Sequence, residues 1–150
     1  MKTPFAALAL LAVLGTPALA QDLPQPVKAR QGQFNIMALN LGVLGGMARG
    51  TVEYDAEAAQ AAADSLVAVS SLSQGAMWPD GTDDGSIAGT RAKADIWGNM
   101  DDFTSKWADF GEAATAMAAA AGTGRDALGP NMGALGNACK ACHDTYRAPE

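Results

Sequence analysis

The chain has one histidine and two cysteines in 150 residues, and all three fall between positions 139 and 143. So small a supply excludes a disulfide framework. A bridge from Cys139 to Cys142 would close too short a loop to constrain a domain, because stabilisation grows with loop length. A structural zinc site takes four ligands, more than two cysteines and one histidine provide. After the first twenty residues no charge-free apolar run reaches the ~20 residues that span a bilayer. β-Branched residues are few, no segment keeps the period-two alternation of a strand, and no repeat of fixed period occurs. Basic side chains are outnumbered, 10 against 16 acidic, for a formal charge of −6. Such a chain is repelled by phosphate backbones, which argues against nucleic acid as a partner. No acid–base pair or triad stands out either. Asp83-Asp84 and Asp101-Asp102 read as solvated carboxylates, so the chain is not expected to be an enzyme.

What is present begins with an export signal. Lys2 precedes an apolar run from Phe5 to Leu14, and Ala18-Leu19-Ala20 satisfies the small-x-small cleavage rule. The expected organisation is a signal peptide at 1–20 and one domain at 21–150, exported to the periplasm with no membrane span in the mature chain. Loss of Lys2 leaves 9 basic against 16 acidic side chains, a charge of −7. That field would steer in a small basic redox partner, whose identity the sequence does not give.

The mature part is rich in Ala and separates into four helical stretches at breaker clusters. The first, about 27–47, carries Val27, Phe34, Met37, Leu41, Leu44 and Ala48 at alternating steps of three and four, with Arg30 in the remaining place on that stripe. A second stripe, Ile36, Leu39, Val43 and Met47, is expected to widen the buried face. The second helix should start at the N-cap residue Asp55 and end near Gln74. Turn formers from Trp78 to Gly85 mark a loop. The third helix is expected over 90–121, with Ile96, Met100, Phe103, Trp107, Phe110, Ala114 and Met117 on its core face. The fourth runs over about 125–146, with Pro130 in its first turns; Leu128, Met132, Leu135, Cys139, Cys142 and Tyr146 keep the rhythm. The fold class is all-α, an antiparallel four-helix bundle.

Cys139-Lys140-Ala141-Cys142-His143 is the c-type haem attachment pattern. Two thiols three residues apart can add to the two vinyl groups on one porphyrin edge, and the imidazole one residue later reaches the iron. Cys139 and His143 share a helix face, and both cysteines continue the core stripe. The bundle would then hold one covalent haem c, with His143 as axial ligand to the metal. A thiol–disulfide oxidoreductase is the competing reading. Its reactive thiolate needs a helix N-terminus, whereas this pair sits near a helix C-terminus, where the dipole opposes a thiolate. With no second histidine, the sixth iron ligand is a methionine or there is none. Met37, Met47, Met77, Met100, Met117 and Met132 are available, though core filling is the commoner use of methionine at helical spacing.

These residues resemble the cytochromes c prime over essentially the whole mature chain. The resemblance rests on the late haem motif, its continuation Asp144-Thr145-Tyr146-Arg147, and Ile96-Trp97-Gly98-Asn99-Met100-Asp101-Asp102-Phe103. It implies that Arg30 neutralises a haem propionate and that Phe34, four residues on, covers the other face of the iron. Low-spin relatives carry methionine at that second place; phenylalanine cannot coordinate, which implies a five-coordinate, high-spin iron. Arg147 matches a basic residue beside the axial histidine. A ligand beside Phe34 meets no hydrogen-bond donor on that stripe unless Arg30 turns inward. Diatomic gases that need none, nitric oxide first and then carbon monoxide, are therefore favoured over dioxygen. Single-electron transfer is the companion role, and a six-coordinate electron carrier ligated by Met37 is the alternative. The resemblance also implies a homodimer paired through the first two helices.

Overall fold

The computed structural model describes residues 22–149, so the expected signal peptide lies outside the described residues. The first helix, α1, spans Gln25–Arg49. Pro26 sits in its first turn, where no backbone N–H is needed. It stops at Gly50, whose left-handed φ of 71° lets its N–H reach back to the carbonyls of Gly46 and Met47. A β-carbon at Gly50 would also fall 2.4 Å from the Arg125 guanidinium.

The second helix, α2, spans Ala56–Ser70 and is capped by Asp55, whose carboxylate accepts from the Ala58 N–H at 2.8 Å. It ends four residues before the expected Gln74. The Ser71 hydroxyl donates to the Ala68 carbonyl, the acceptor that a continuing helix would have given to the Leu72 N–H, which turns to Val69 instead.

The third expected helix is interrupted. A single turn, α3 (Asp95–Gly98), is followed by α4 (Met100–Ala121), with Asn99 between them at φ −140° and ψ 47°. Residues before Asp95 are not helical, because their backbone pairs with the end of the chain. Ala92 bridges Arg147 antiparallel, the Lys93 N–H donates to the Tyr146 carbonyl at 3.0 Å, and the Ala148 N–H donates to that of Arg91 at 2.8 Å. The last helix, α5, spans Leu128–Tyr146 after a 3-10 turn at Arg125–Ala127, with Pro130 in its first turn.

The four long helices close a ring in which α1 packs on α2, α2 on α4, α4 on α5 and α5 on α1. Neighbours run antiparallel. Gln33 early in α1 reaches Gln74 just past α2, Tyr54 just before α2 reaches the Ala121 carbonyl at the end of α4, and Tyr146 at the end of α5 reaches Asp102 at the start of α4. This is the antiparallel four-helix bundle that the periodicity predicts.

The core has two parts. The larger is aliphatic, with Leu44, Leu66, Met117, Leu128 and Leu135 fully buried. The smaller is aromatic and gathers Trp78, Ile96, Phe103 and Tyr146. The second stripe of α1 does not face either part throughout: Ile36 and Leu39 are 47% and 69% exposed. α1 already packs against α2 and α5 through its first stripe, and these two side chains project outward. Leu72, beyond the end of α2, is exposed as well. Among the described residues no helix is long and apolar enough to cross a membrane.

Candidate functional site

α5 places Cys139 about one turn before the adjacent pair Cys142 and His143. Both cysteines are half-buried free thiols, and Cys142 packs against the aromatic cluster. His143, one turn beyond Cys139, points outward, with Nδ1 3.5 Å from an Arg147 guanidinium nitrogen. Burial pushes the Cys142 thiol up to about 11 and raises Cys139 as well. Burial also lowers the His143 pKa, helped by the cations of Arg147 and Arg91. At neutral pH the site therefore offers two protonated thiols and a neutral imidazole. A disulfide-exchange site needs a thiol lowered towards neutrality, the opposite shift. A metal ligand must be a neutral imidazole, as found here. No group of three or more His, Cys, Asp or Glu side chains that could hold a metal ion occurs among the described residues. Two thiols and one imidazole on one helix, with Cys142 packed on apolar rings, fit a covalently attached porphyrin.

Phe34 lies on α1, 37% exposed. Its ring meets Trp78 and Trp107 edge-on, at centroid distances of 6.4 and 6.3 Å. Arg30, one turn earlier, is 2% exposed. Its guanidinium donates to the Met77 carbonyl, to the carbonyl and hydroxyl of Thr82 and to the Thr90 hydroxyl, and it stacks 4.5 Å from the Trp78 ring centre. Arg30 thus clamps the long α2–α3 connection. Burial lowers its pKa, and no carboxylate among the described residues pairs with it.

The six methionines among the described residues are occupied in packing. Met37, Met47 and Met117 are buried in the aliphatic core and Met132 packs against it, while Met77 and Met100 pack against the aromatic cluster.

The α1 residues and the α5 motif are linked by a chain of edge-on ring contacts. Phe34 meets Trp78, Trp78 meets Phe103 at 4.7 Å, and Phe103 meets Tyr146 at 5.5 Å, three residues past His143. In the sequence Trp78 marks only the start of a loop. The Tyr146 hydroxyl donates to the Asp102 carboxylate at 2.6 Å, and Lys106 lies 3.5 Å from the same carboxylate. Asp102 is exposed, as its sequence suggested, yet it holds the end of the motif-bearing helix. The signal missed was its partner, which lies 44 residues away.

The profile of the Cytochrome C' family matches residues 25–147. Two proteins of Cereibacter sphaeroides are similar over most of their length. Its cytochrome c' is 41% identical over 138 residues, 92% of this chain and 93% of that one. Its cytochrome c-554 is 43% identical over 148 residues, 96% and 97%. Among solved structures, a nitric oxide complex of a cytochrome c prime variant from Alcaligenes xylosoxidans matches with a TM-score of 0.71 and 32% identity, covering 83% of this chain and 94% of that one. By sequence over nearly its whole length and by fold, this chain belongs to the cytochrome c prime family, haem proteins with one covalent haem c per chain rather than enzymes.

Proposed function

We propose that this protein is a periplasmic cytochrome c prime that binds diatomic gases, nitric oxide foremost, at a five-coordinate haem and also passes single electrons. The haem, when bound, supplies an iron centre able to take a gas molecule or one electron. The protein's residues do the rest. Cys139 and Cys142 add their S–H groups across two vinyl groups, forming thioethers without any oxidant. His143 presents a neutral imidazole to the metal from the same helix. Phe34 would shield the position left to a gas, as the family resemblance implies.

What carries this reading is the side chain of Phe34, a hydrocarbon ring with no donor atom, four residues after Arg30 on α1, the position where by resemblance low-spin relatives carry a methionine ligand. Met37, the alternative, is 7% exposed and packed in the aliphatic core, which supports a vacant sixth position. The solved nitric oxide complex of a related protein supports gas binding. The similarity to a cytochrome c-554 keeps electron transfer beside it. Among the described residues no carboxylate pairs with the buried Arg30 cation, and a buried charge without a counter-charge is costly; a haem propionate would supply that anion. The first twenty residues support export, which a mature mass beginning at Gln21 would verify. Exposed Ile36, Leu39 and Leu72 supply the apolar surface for a homodimer.

Optical spectra of the ferric and ferrous holoprotein, with and without nitric oxide, test the proposal. A high-spin ferric spectrum and a shift on adding the gas are expected. A methionine-to-ferric charge-transfer band would overturn it in favour of the six-coordinate carrier. Phe34→Met should create that band, because it places a thioether where the ring stood.

A further inference from the structure

The two indoles flanking Phe34 are both fastened to the segment that closes α2. The Trp107 N–H donates to the Ser70 carbonyl at 2.9 Å. The Trp78 N–H donates to the Gln74 side-chain oxygen at 3.2 Å, and Gln74 is itself buried and doubly bonded to Gln33. Trp78 is held from three further directions: the Arg30 guanidinium over its ring, Phe103 beneath it at 4.7 Å, and the Trp97 N–H on its carbonyl at 3.0 Å. Trp78 is 7% exposed, whereas the phenylalanine it touches is 37% exposed. A loosely covered ring therefore sits between two firmly held ones.

We infer that Trp78 and Trp107 are positioning residues that set the resting place of Phe34, so that the 70–78 segment controls gas admission. This rests on the proposed gas-binding role of the site and assigns its selectivity to residues that need not meet the gas. Phe34 must swing aside for a gas to pass, and each swing breaks edge-to-face contacts with both indoles. Such pairs are individually worth about three- to tenfold in an equilibrium, so each should slow admission by a comparable factor.

Carbon monoxide is the probe, mixed with ferrous holoprotein by flash photolysis or stopped flow. Phe34→Ala should bind fastest. Trp107→Leu and Trp78→Leu should each accelerate association about three- to tenfold, while neither should accelerate it further in a Phe34→Ala background. Trp107→Phe, which keeps a ring and loses the N–H, should fall between wild type and Trp107→Leu, and it serves if the leucine variants fold poorly. An independent readout is hydrogen exchange of the Trp78 and Trp107 indole N–H groups, followed by NMR in the diamagnetic carbon monoxide complex. Both should stay protected in Phe34→Ala, as expected of fixed walls around a moving ring. Tryptophan variants that bind no faster than wild type, or that gain equally without Phe34, would overturn the inference and leave the gas-binding role intact. Failure of both wild type and Phe34→Ala to bind carbon monoxide would instead remove that role, and the inference with it.

Discussion

The aliphatic and aromatic parts of the core are held together differently. Leu44, Leu66, Met117, Leu128 and Leu135 meet through hydrocarbon alone, and alanines at 59, 62, 63 and 114 let the helices approach closely. Position there is set by volume, and no side chain needs a particular direction. In the aromatic part nearly every ring carries a directional bond: Trp78 to Gln74, Trp97 to the Trp78 carbonyl, Tyr146 to Asp102. The haem motif adjoins this second part through Cys142. Burial makes the bundle stable; hydrogen bonds and edge-on ring contacts fix the directions of the aromatic side chains beside the motif. A mutation in the aliphatic part should change stability without changing the spectrum, and a mutation in the aromatic part should reach the spectrum as well.

The largest effect is expected at the motif. Cys139→Ala with Cys142→Ala should abolish covalent attachment altogether, so that acidified organic solvent extracts any haem and the chain mass matches the polypeptide alone. Next, Leu66→Ala in the aliphatic part should cost about 2–5 kcal/mol of unfolding free energy, read from denaturant curves, with an unchanged ferric spectrum. A shifted spectrum there would break the division between the two parts.

A smaller loss is expected at Arg30. Arg30→Leu removes donors from Thr82 and Thr90 and should cost about 2–3 kcal/mol, the scale of charged hydrogen bonds lost inside a protein. Amide exchange should rise in residues 78–90 while the aliphatic part stays protected.

The smallest effect concerns pH. Burial and the Asp102 hydrogen bond push the Tyr146 hydroxyl up to about 12. The folded state therefore keeps a proton that the unfolded chain releases near its ordinary value of about 10. Stability tied to this group is full below that value and declines as pH rises from about 10 to 12. Asp102 moves the other way, lowered first by the Tyr146 hydrogen bond and then by Lys106. Its contribution is present above the ordinary carboxylate range and declines as acid protonates it. Tyr146→Phe should flatten both limbs of the stability–pH curve, measured by urea unfolding. An acid limb unchanged from wild type would show that the bond does nothing for Asp102, and an unchanged alkaline limb that Tyr146 is not its source.

How much was legible in the sequence differs along the chain. Asp55 capped its helix as read, because a cap is a local bond between residues three apart. Cys139, Cys142 and His143 were legible for the same reason: their spacing is itself the chemistry. The expected helix over 90–121 failed at Asn99, where apolar spacing continued from Ile96 to Phe103 across a break. Periodicity could not register that residues 91–93 pair with the end of the chain. Ile36 and Leu39 looked buried because amphipathic spacing gives a stripe's width but not how much of it neighbouring helices cover.

The amino-acid order alone determined four helices, the bundle and the motif, since each depends on residues within a few turns of one another. Tertiary structure alone decided that Arg30 clamps a distant loop, that Trp78 and Trp107 enclose Phe34, and that Asp102 holds Tyr146. These contacts join residues separated by 40 or more positions, except the Trp107 tie to Ser70 at 37. Such pairs form only when antiparallel packing brings helix ends together, and no local pattern encodes that meeting.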